Sequence, residues 1–334
     1  MRTYVISLEE PSTDLMQMLR NNTLDPVWVP GVNGKHMTDE QLRIAATPIY
    51  SILGPRSAIG IALAHMRAWY TMITNNDQYA LVAEDHIVLM DKFPQRLSVA
   101  LNAMPTDTDI LAIGCYGCDT RVNPFSIGFW LSGKLRDWSK YREVNAEVVE
   151  PLVAVGTHAY IITNAGARKL LELFDGTIHT HVDAQIQECV QSDGIRYYAL
   201  RDRIAHQTSG DSNLQVSANT TSSFPRVITD TLKTIYLDQY FTADYTWNLS
   251  LLRVGNVNIP SGVFICTILA LFACAFGAPA WAAILAIVIL GIPDILTTGF
   301  DWKVFVMYVV AVSLGAGGGT FIYQNPRSKR FVRV

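Results

Sequence analysis

The sequence predicts an α/β domain with a mostly parallel sheet flanked by helices, followed by a C-terminal helical transmembrane region. Segments of strand character alternate with segments of helical spacing over the first two thirds of the chain, an order typical of parallel α/β folds. Residues 254–293 and 304–323 contain no charged side chain, a composition typical of membrane helices.

The alternation begins at the N-terminus, where "RTYVISL" (2–8) is predicted to be a strand. The apolar spacing of "SAIGIALAHMRAWYTMI" (57–73) predicts a helix with Ile59, Leu63, Met66 and Tyr70 on one face. The remaining predicted elements are strands at 79–83, 109–115, 156–163 and 195–202, a helix at 164–174 capped by Asn164, and a helix within 181–192.

Composition divides the chain into four predicted parts. These are a domain at 1–215, a linker and juxtamembrane segment at 216–258, transmembrane helices at 259–325, and a basic tail at 326–334. The formal net charge is −3. The composition therefore gives no sign of the basic surface that binds nucleic acid.

Helix length, compared with bilayer thickness, sets the number of predicted membrane spans. Residues 254–293 as one helix would be about 60 Å long, roughly twice the hydrocarbon thickness of a bilayer. We therefore predict three spans near 260–277, 279–296 and 304–323, with two spans as the alternative. Gly315 and Gly319 form a GxxxG pattern that could bring such helices together, also in an oligomer.

The side of the membrane stays open at this point. The basic tail is expected in the cytoplasm. Three spans would place the N-terminal domain on the opposite side from that tail, and two spans would place it on the same side. The N-terminal residues do not have the pattern of a secretory signal peptide, which favours a cytosolic domain.

The five cysteines give little guidance. Cys115 and Cys118 form one isolated CxxC pattern, whereas a zinc site would need a second pair of ligands at suitable spacing. Free buried thiols are the favoured interpretation.

Three consecutive ionisable residues, Glu84, Asp85 and His86, follow the predicted strand at 79–83. Ligands of α/β sheets bind at the carboxyl ends of strands, and acidic residues there can hold a divalent cation that binds a diphosphate. An extended chain would point Glu84 and His86 to one side and Asp85 to the other, the spacing of a D-x-D-type metal site. The alternative is a solvated strand end whose carboxylates cap the next turn.

Five segments in order resemble glycosyltransferase family 25. They are "AIGIALAHMRAW", "YALVAEDHIVL", "GTHAYIITNAGARKLLE", "HVDAQIQE" and "AHQTSGDS". The resemblance covers about residues 3–212. It implies a GT-A-like fold, a UDP-sugar donor such as UDP-galactose, Mn²⁺ or another divalent metal, and a glycan or protein acceptor.

The resemblance also implies roles for individual residues. Glu84, Asp85 and His86 occupy the family's E-D-D motif, so Glu84 and Asp85 would bind the cofactor, and Asp85 and His86 would be metal ligands. His206 matches a late histidine that would complete the metal site. Asp183 in "HVDAQ" matches an aspartate near donor or acceptor and would be the general base. For His65, in the preceding helix, packing against the sheet is favoured over a role in the site.

Two departures from the family pattern bear on activity. His86 replaces the last carboxylate of the metal motif, and an imidazole brings no negative charge to a hard cation. Glu9, Glu10 and Asp14 stand where the family usually has arginines, and they would repel a diphosphate.

Two functions therefore remain open. The first is a membrane-anchored, metal-dependent, inverting transferase that moves a hexose, galactose in particular, from a UDP-sugar to a hydroxyl. The second is a catalytically inactive protein with the transferase fold, tied to a membrane as a scaffold. A minor virion protein that links a capsid to an internal membrane would be one example. Fold alone does not decide between them.

Overall fold

The structure is a computed structural model. It describes residues 1–116, 142–151, 155–192, 194–207, 250–254, 257–282, 285 and 302–324. The chain forms two compact units, Met1–Ser212 and Asn213–Val334.

The first unit is built on an eight-stranded sheet and a separate antiparallel pair of short strands. In chain order the strands are β1 (Arg2–Ser7), β2 (Asp25–Pro30), β3 (Tyr79–Glu84), β4 (Ile87–Leu89), β5 (Ile110–Tyr116), β6 (Arg142–Glu143), β7 (Val148–Glu150), β8 (Val155–Thr163), β9 (Tyr197–Leu200) and β10 (Ala205–Gln207). The sheet has the order β2-β1-β3-β8-β5-β9-β7-β6, and β10 pairs with β4. Only β7 and β8 run against the other strands of the sheet, so the predicted mostly parallel sheet is confirmed.

Helices cover both faces of this sheet. They are α1 (Thr13–Asn21), α2 (Asp39–Ala45), α3 (Pro48–Leu53), α4 (Arg56–Thr74), α5 (Phe93–Ala103), α6 (Asn164–Phe174) and α7 (Val182–Gln191). Residues of α2, α4, α6 and α7 pack against one face of the sheet, and residues of α1 and α5 pack against the other. The first unit therefore has three layers, as expected when a parallel sheet is buried on both sides.

The buried face of α4 is broader than the apolar spacing predicts. Trp69 and Met72 are fully buried, whereas Tyr70 is 66% exposed. Small residues such as Ala62 and Ala68 also face the sheet, because they allow the helix to approach it closely. Of the four residues predicted on one face, Ile59 is fully buried and Leu63 and Met66 are partly buried against the core, whereas Tyr70 is not.

The N-cap of α6 is Thr163, and the prediction of Asn164 is wrong. Thr163 ends β8 in an extended conformation, and its hydroxyl accepts the Gly166 N–H at 3.0 Å. Asn164 is the first helical residue, and its side chain donates to the Asp77 carbonyl at 2.9 Å. The strand thus passes into the helix one residue earlier than expected.

The described residues of the second unit include a short antiparallel strand pair and two longer helices. They are β11 (Ser250–Val254), β12 (Val257–Pro260), α8 (Ser261–Ala275) and α9 (Trp302–Gln324). A Cβ atom added at Gly315 would lie 2.4 Å from the Thr267 carbonyl oxygen, and one at Gly319 would lie 2.2 Å from the Leu271 carbonyl oxygen. The GxxxG glycines therefore allow close contact between α8 and α9 of the same chain, and the two helices run in the same direction.

No helix in the described part of the chain is both long enough and apolar enough to cross a membrane. Helix α8 has 15 residues, fewer than the roughly 20 that a bilayer requires. The three predicted spans are therefore not supported by the described helices. Most of the middle span, 279–296, and all of the basic tail lie outside the described residues.

The cysteine prediction is partly wrong. Cys189, Cys266 and Cys274 are free and buried, as expected. Cys115, at the end of β5, is disulfide-bonded instead. Cys118 lies outside the described residues.

Candidate active site at the carboxyl edge of the sheet

Polar side chains collect where β1 and β3 end, and we call this the carboxyl edge. Strands β1 and β3 are parallel and in register, with Ile6 opposite Glu84. Strand β8 runs against β3, with Ala83 opposite Ala159, so the first residues of β8 lie at the same edge. The residues gathered there by these three strands are Ser7, Glu84, Asp85, Gly156, Thr157 and His158.

Glu84 is held from two sides through one carboxylate oxygen. The Thr157 hydroxyl donates to Glu84 Oε1 at 3.0 Å, and His65 Nε2 lies 3.6 Å from the same oxygen. Burial acts to raise the pKa of Glu84, but the His65 contact, the charges of His65 and His158 and the Thr157 bond outweigh it. The net pKa is therefore below the ordinary value, and Glu84 is a carboxylate at neutral pH.

His65 belongs to a buried polar chain that starts inside the core. Trp69 Nε1 donates to the Tyr160 hydroxyl oxygen at 2.7 Å, and that hydroxyl lies 2.9 Å from His65 Nδ1. Trp69 and His65 are fully buried, and Tyr160 is 3% exposed. His65 does pack against the sheet as favoured, but it also faces Glu84.

Asp85 faces a different set of partners from Glu84. Ser7 Oγ donates to Asp85 Oδ2 at 2.5 Å, and His86 Nε2 lies 3.1 Å from Asp85 Oδ1. The prediction that Glu84 and His86 point to one side is wrong. Strand β3 ends at Glu84 and the next two residues form a turn, so the alternation of an extended chain stops there.

His158 is the buried imidazole beside Glu84. A Cβ atom at Gly114 would lie 2.8 Å from His158 Nε2 and 2.7 Å from the Ala205 carbonyl oxygen, so both groups need a glycine at this position. Burial lowers the pKa of His158 to about 4, Glu84 opposes that effect, and the charges of Arg203 and His206 add to it. His206, on β10, therefore lies within electrostatic reach of the Glu84 neighbourhood.

Asp183 reaches the same edge from the first turn of α7. Its Oδ2 accepts the Gly156 N–H at 3.1 Å, and its Oδ1 accepts the Ala184 N–H at 2.8 Å. Asp183 is 7% exposed. Gly156 and Thr157 are consecutive residues of β8, so the strand brings Asp183 and Glu84 together, although almost a hundred positions separate them in sequence.

The described residues do not fit a three-ligand metal site. Both oxygens of Asp85 already face Ser7 and His86, and Glu84 turns towards His65 and Thr157. No group of three His, Cys, Asp or Glu side chains within the described ranges is arranged to hold a metal ion. The set predicted from sequence, Asp85, His86 and His206, is thus not assembled as a metal centre there.

Fold and edge together define an α/β protein with acidic side chains gathered where parallel strands end. The sequence model of "Glycosyltransferase family 25 (LPS biosynthesis protein)" matches residues 1–186. That match covers more than half of the chain, and the chain belongs to this family. Its function is therefore of a glycosyltransferase-like kind.

Comparison with solved structures gives a more distant likeness. A structure described as "Crystal Structure of A197 from STIV" is 16% identical, with a TM-score of 0.32. The likeness covers 60% of this chain and 80% of that chain. No curated protein matches this chain.

Sequence reasoning missed several residues of the site. Ser7 and Thr157 looked like ordinary strand residues, and Tyr160 looked like a core aromatic. The alternation in "THAY" could have revealed these residues. It places His158 and Tyr160 on one face of β8, and Tyr160 lies opposite Val82 of β3, two residues before Glu84. A buried strand that carries polar side chains needs partners for them, and α4 supplies one of these partners in His65.

Proposed function

We propose that the first unit is a glycosyltransferase that binds a UDP-hexose, such as UDP-galactose, at the carboxyl edge. The sugar would pass to a hydroxyl of a glycan or protein acceptor. One observation carries the proposal: Glu84 and Asp183 are anchored to consecutive residues of β8. Two carboxylates in different surroundings thereby lie at the edge where α/β sheets bind ligands.

Asp183 is the proposed general base. Two backbone N–H groups fix its carboxylate, which suits a group that must take up a proton at a defined position. The acceptor oxygen would attack the anomeric carbon while its proton passes to Asp183. The bond from that carbon to the diphosphate oxygen would break, its electron pair would leave with UDP, and the anomeric configuration would invert.

Basic side chains are the proposed source of charge stabilisation for the leaving UDP. The charges of Arg203 and His206 both act on His158, which lies beside Glu84. Fixed positive groups near a departing diphosphate lower the barrier because they stabilise charge that develops in the transition state. This arrangement supports stabilisation by the chain's own residues.

Calorimetric titration of the full chain with UDP tests the proposal, with and without Mn²⁺. We expect binding at micromolar to low millimolar UDP in the presence of Mn²⁺ that is at least tenfold weaker in Asp85→Ala, because the Asp85 carboxylate can attract a diphosphate only through a bound cation. Asp107→Ala is the control, because Asp107 bonds with Tyr198 before β5, at the other end of the sheet.

The outcomes separate the two functions. UDP binding that is lost in Asp85→Ala and kept in Asp107→Ala supports the transferase. Absence of binding at millimolar UDP in both arms would overturn it and favour the inactive, scaffolding member of the family. A requirement for Mn²⁺ would show that the bound state assembles ligands that the described residues do not present together.

We also propose that the second unit attaches the protein to lipid. Helices α8 and α9 meet through small residues and turn large apolar side chains outwards, which is the pattern of helices in a lipid environment. Leu269, Phe272, Leu314 and Phe321 are 55–71% exposed. Flotation of the full chain with phosphatidylcholine and phosphatidylglycerol vesicles tests the proposal. We expect Leu314→Asp with Phe321→Asp to lower the floated fraction, and equal flotation would contradict attachment through this face.

A further inference from the structure

We propose that Tyr160 and His65 are positioning residues that fix one oxygen of Glu84, so that its other oxygen faces the ligand. The inference rests on the proposed function and deepens it, because it states which residues orient Glu84 at the carboxyl edge. Neither residue touches the ligand in this account. Both act through Glu84.

The direction of each proton follows from the geometry. The indole N–H of Trp69 can only donate, so the Tyr160 oxygen accepts at 2.7 Å. Burial raises the pKa of Tyr160 well above its ordinary value, so the hydroxyl keeps its own proton. We infer that the hydroxyl donates this proton to His65 Nδ1, which lies 2.9 Å from the hydroxyl oxygen. A neutral His65 must then carry its hydrogen on Nε2, the nitrogen that faces Glu84.

The anchoring of Glu84 is one-sided. Both of its contacts in the described part of the chain, with Thr157 and with His65, use Oε1. His65 is fully buried, whereas the Glu84 side chain is 22% exposed. The anchored oxygen therefore faces the core, and Oε2 is the oxygen left to meet a ligand from outside.

The contact between His65 and Glu84, the last in the polar series from Trp69, is longer than a hydrogen bond. His65 Nε2 lies 3.6 Å from Glu84 Oε1, beyond the usual N–H···O range, and Nε2 has no hydrogen-bond partner among the described residues. Contacts of this kind in ligand-free sites often shorten when the ligand binds. We therefore expect the contact to close when UDP occupies the edge.

The first test is the tautomer of His65 in the ligand-free full chain, read by ¹⁵N NMR of histidine-labelled protein. For the neutral form of the ring we expect the proton on Nε2, and this signature should change in Tyr160→Phe. A proton on Nδ1 would overturn the inference, and so would an unchanged signature in Tyr160→Phe. This measurement does not depend on sugar transfer.

The second test compares two buried tyrosines. Tyr4 also lies fully buried, and its hydroxyl donates to Asp77 at 2.5 Å and accepts from Asn75 at 2.9 Å. Both Tyr160→Phe and Tyr4→Phe remove a hydroxyl and break two hydrogen bonds, so both should lower the melting temperature. Only Tyr160→Phe is expected to weaken UDP binding, about tenfold.

Each outcome of the second test has a meaning. Equal UDP affinities of the two variants would reduce Tyr160 to a structural role and overturn the inference. If the wild-type chain does not bind UDP, the proposed function fails, and the tautomer measurement alone decides whether His65 and Tyr160 position Glu84.

Discussion

The two ends of the sheet hold their acidic residues in different ways. At the amino edge, before β3 and β5, Asp109 pairs with Lys169 at 2.7 Å and accepts the Arg196 N–H at 2.9 Å. Asp77 accepts the Tyr4 hydroxyl and lies 3.9 Å from Arg2. At the carboxyl edge, hydroxyl groups, imidazoles and backbone N–H groups hold the acids, as shown for Glu84, Asp85 and Asp183.

This difference separates stability from function. A permanent cation beside Asp109 neutralises its charge, so that site gains little from a ligand. Glu84 and Asp183 accept hydrogen bonds from the Thr157 hydroxyl and from backbone N–H groups at the carboxyl edge, where ligands of α/β sheets bind. The amino edge should therefore respond to mutation in stability alone, and the carboxyl edge should respond in ligand binding as well.

The largest expected effect is at the amino edge, in Asp109→Ala. Asp109 is 2% exposed, and its loss leaves the Arg196 N–H without its acceptor and Lys169 without its partner. We expect about 4 kcal/mol lower free energy of unfolding with unchanged UDP affinity, measured by urea unfolding and calorimetry. The matched control is Asp107→Ala, an exposed residue that should cost less than about 1 kcal/mol. A change in UDP affinity in Asp109→Ala would break the comparison.

The second effect is a pH dependence of the free energy of unfolding, caused by His158 at the carboxyl edge. Burial lowers the pKa of His158 to about 4 from 6.5. Between these two values the unfolded chain binds more protons than the folded chain, so stability falls as the pH drops through this window. The loss is about 3 kcal/mol in total.

Urea unfolding at pH 7 and pH 4.5 measures the His158 effect. Glu84 does not obscure it, because its pKa is lowered below 4.5 and its contribution is lost only at lower pH. His158→Gln should remove most of the difference between the two pH values. An unchanged difference in His158→Gln would contradict the assignment.

The third effect comes from Thr157, whose hydroxyl bonds to Glu84. Thr157→Val keeps the shape of the side chain and removes the bond to the carboxylate, which should weaken UDP binding about tenfold and cost about 1.5 kcal/mol of stability. Thr157→Ser keeps the hydroxyl and should restore most of the affinity. Equal affinities of the Val and Ser variants would show that the hydroxyl does not position Glu84.

The smallest effect is at Thr163, on the same strand but at the amino edge. Thr163 caps α6 through the Gly166 N–H. Thr163→Ala should therefore cost about 1 kcal/mol and leave UDP affinity unchanged, as calorimetry would show. A loss of affinity similar to that of Thr157→Val would mean that the two edges are not separate.

The sequence was sufficient for part of the layout of the first unit. Alternating strand and helix patterns placed β1, β3, β5 and β8 and the long helix α4 to within one or two residues, because buried strands and amphipathic helices have distinct periods. The full extent of the α4 face that meets the sheet was not predictable in this way. Alanines and His65 also lie on the buried face and Tyr70 does not, because small and polar residues do not stand out in an apolar pattern.

The acidic residues of the candidate site stood out in the sequence, but their contacts did not. The unusual charges at Glu84 and Asp85 marked the carboxyl edge, and the family resemblance pointed to Asp183. The turn after Glu84 directs His86 to Asp85, and local spacing cannot show such a turn. The chain from Trp69 through Tyr160 to His65 joins a helix and a strand about ninety positions apart, and only the folded sheet brings them together.

The second unit shows the same limit. The GxxxG pattern predicted close helix contact, and Gly315 and Gly319 do meet the backbone of α8. The sequence did not predict which helix they would meet, because a surface of small residues fits a helix of the same chain or of another chain equally well.

Hydrogen exchange of the full chain with and without UDP tests the central claim most directly. Backbone amides at 84–86 and 156–158 should exchange more slowly when UDP is present, whereas amides at 75–78 and 163–166, at the amino edge, should be unchanged. Protection confined to the amino edge, or no protection at either edge at millimolar UDP, would contradict the account.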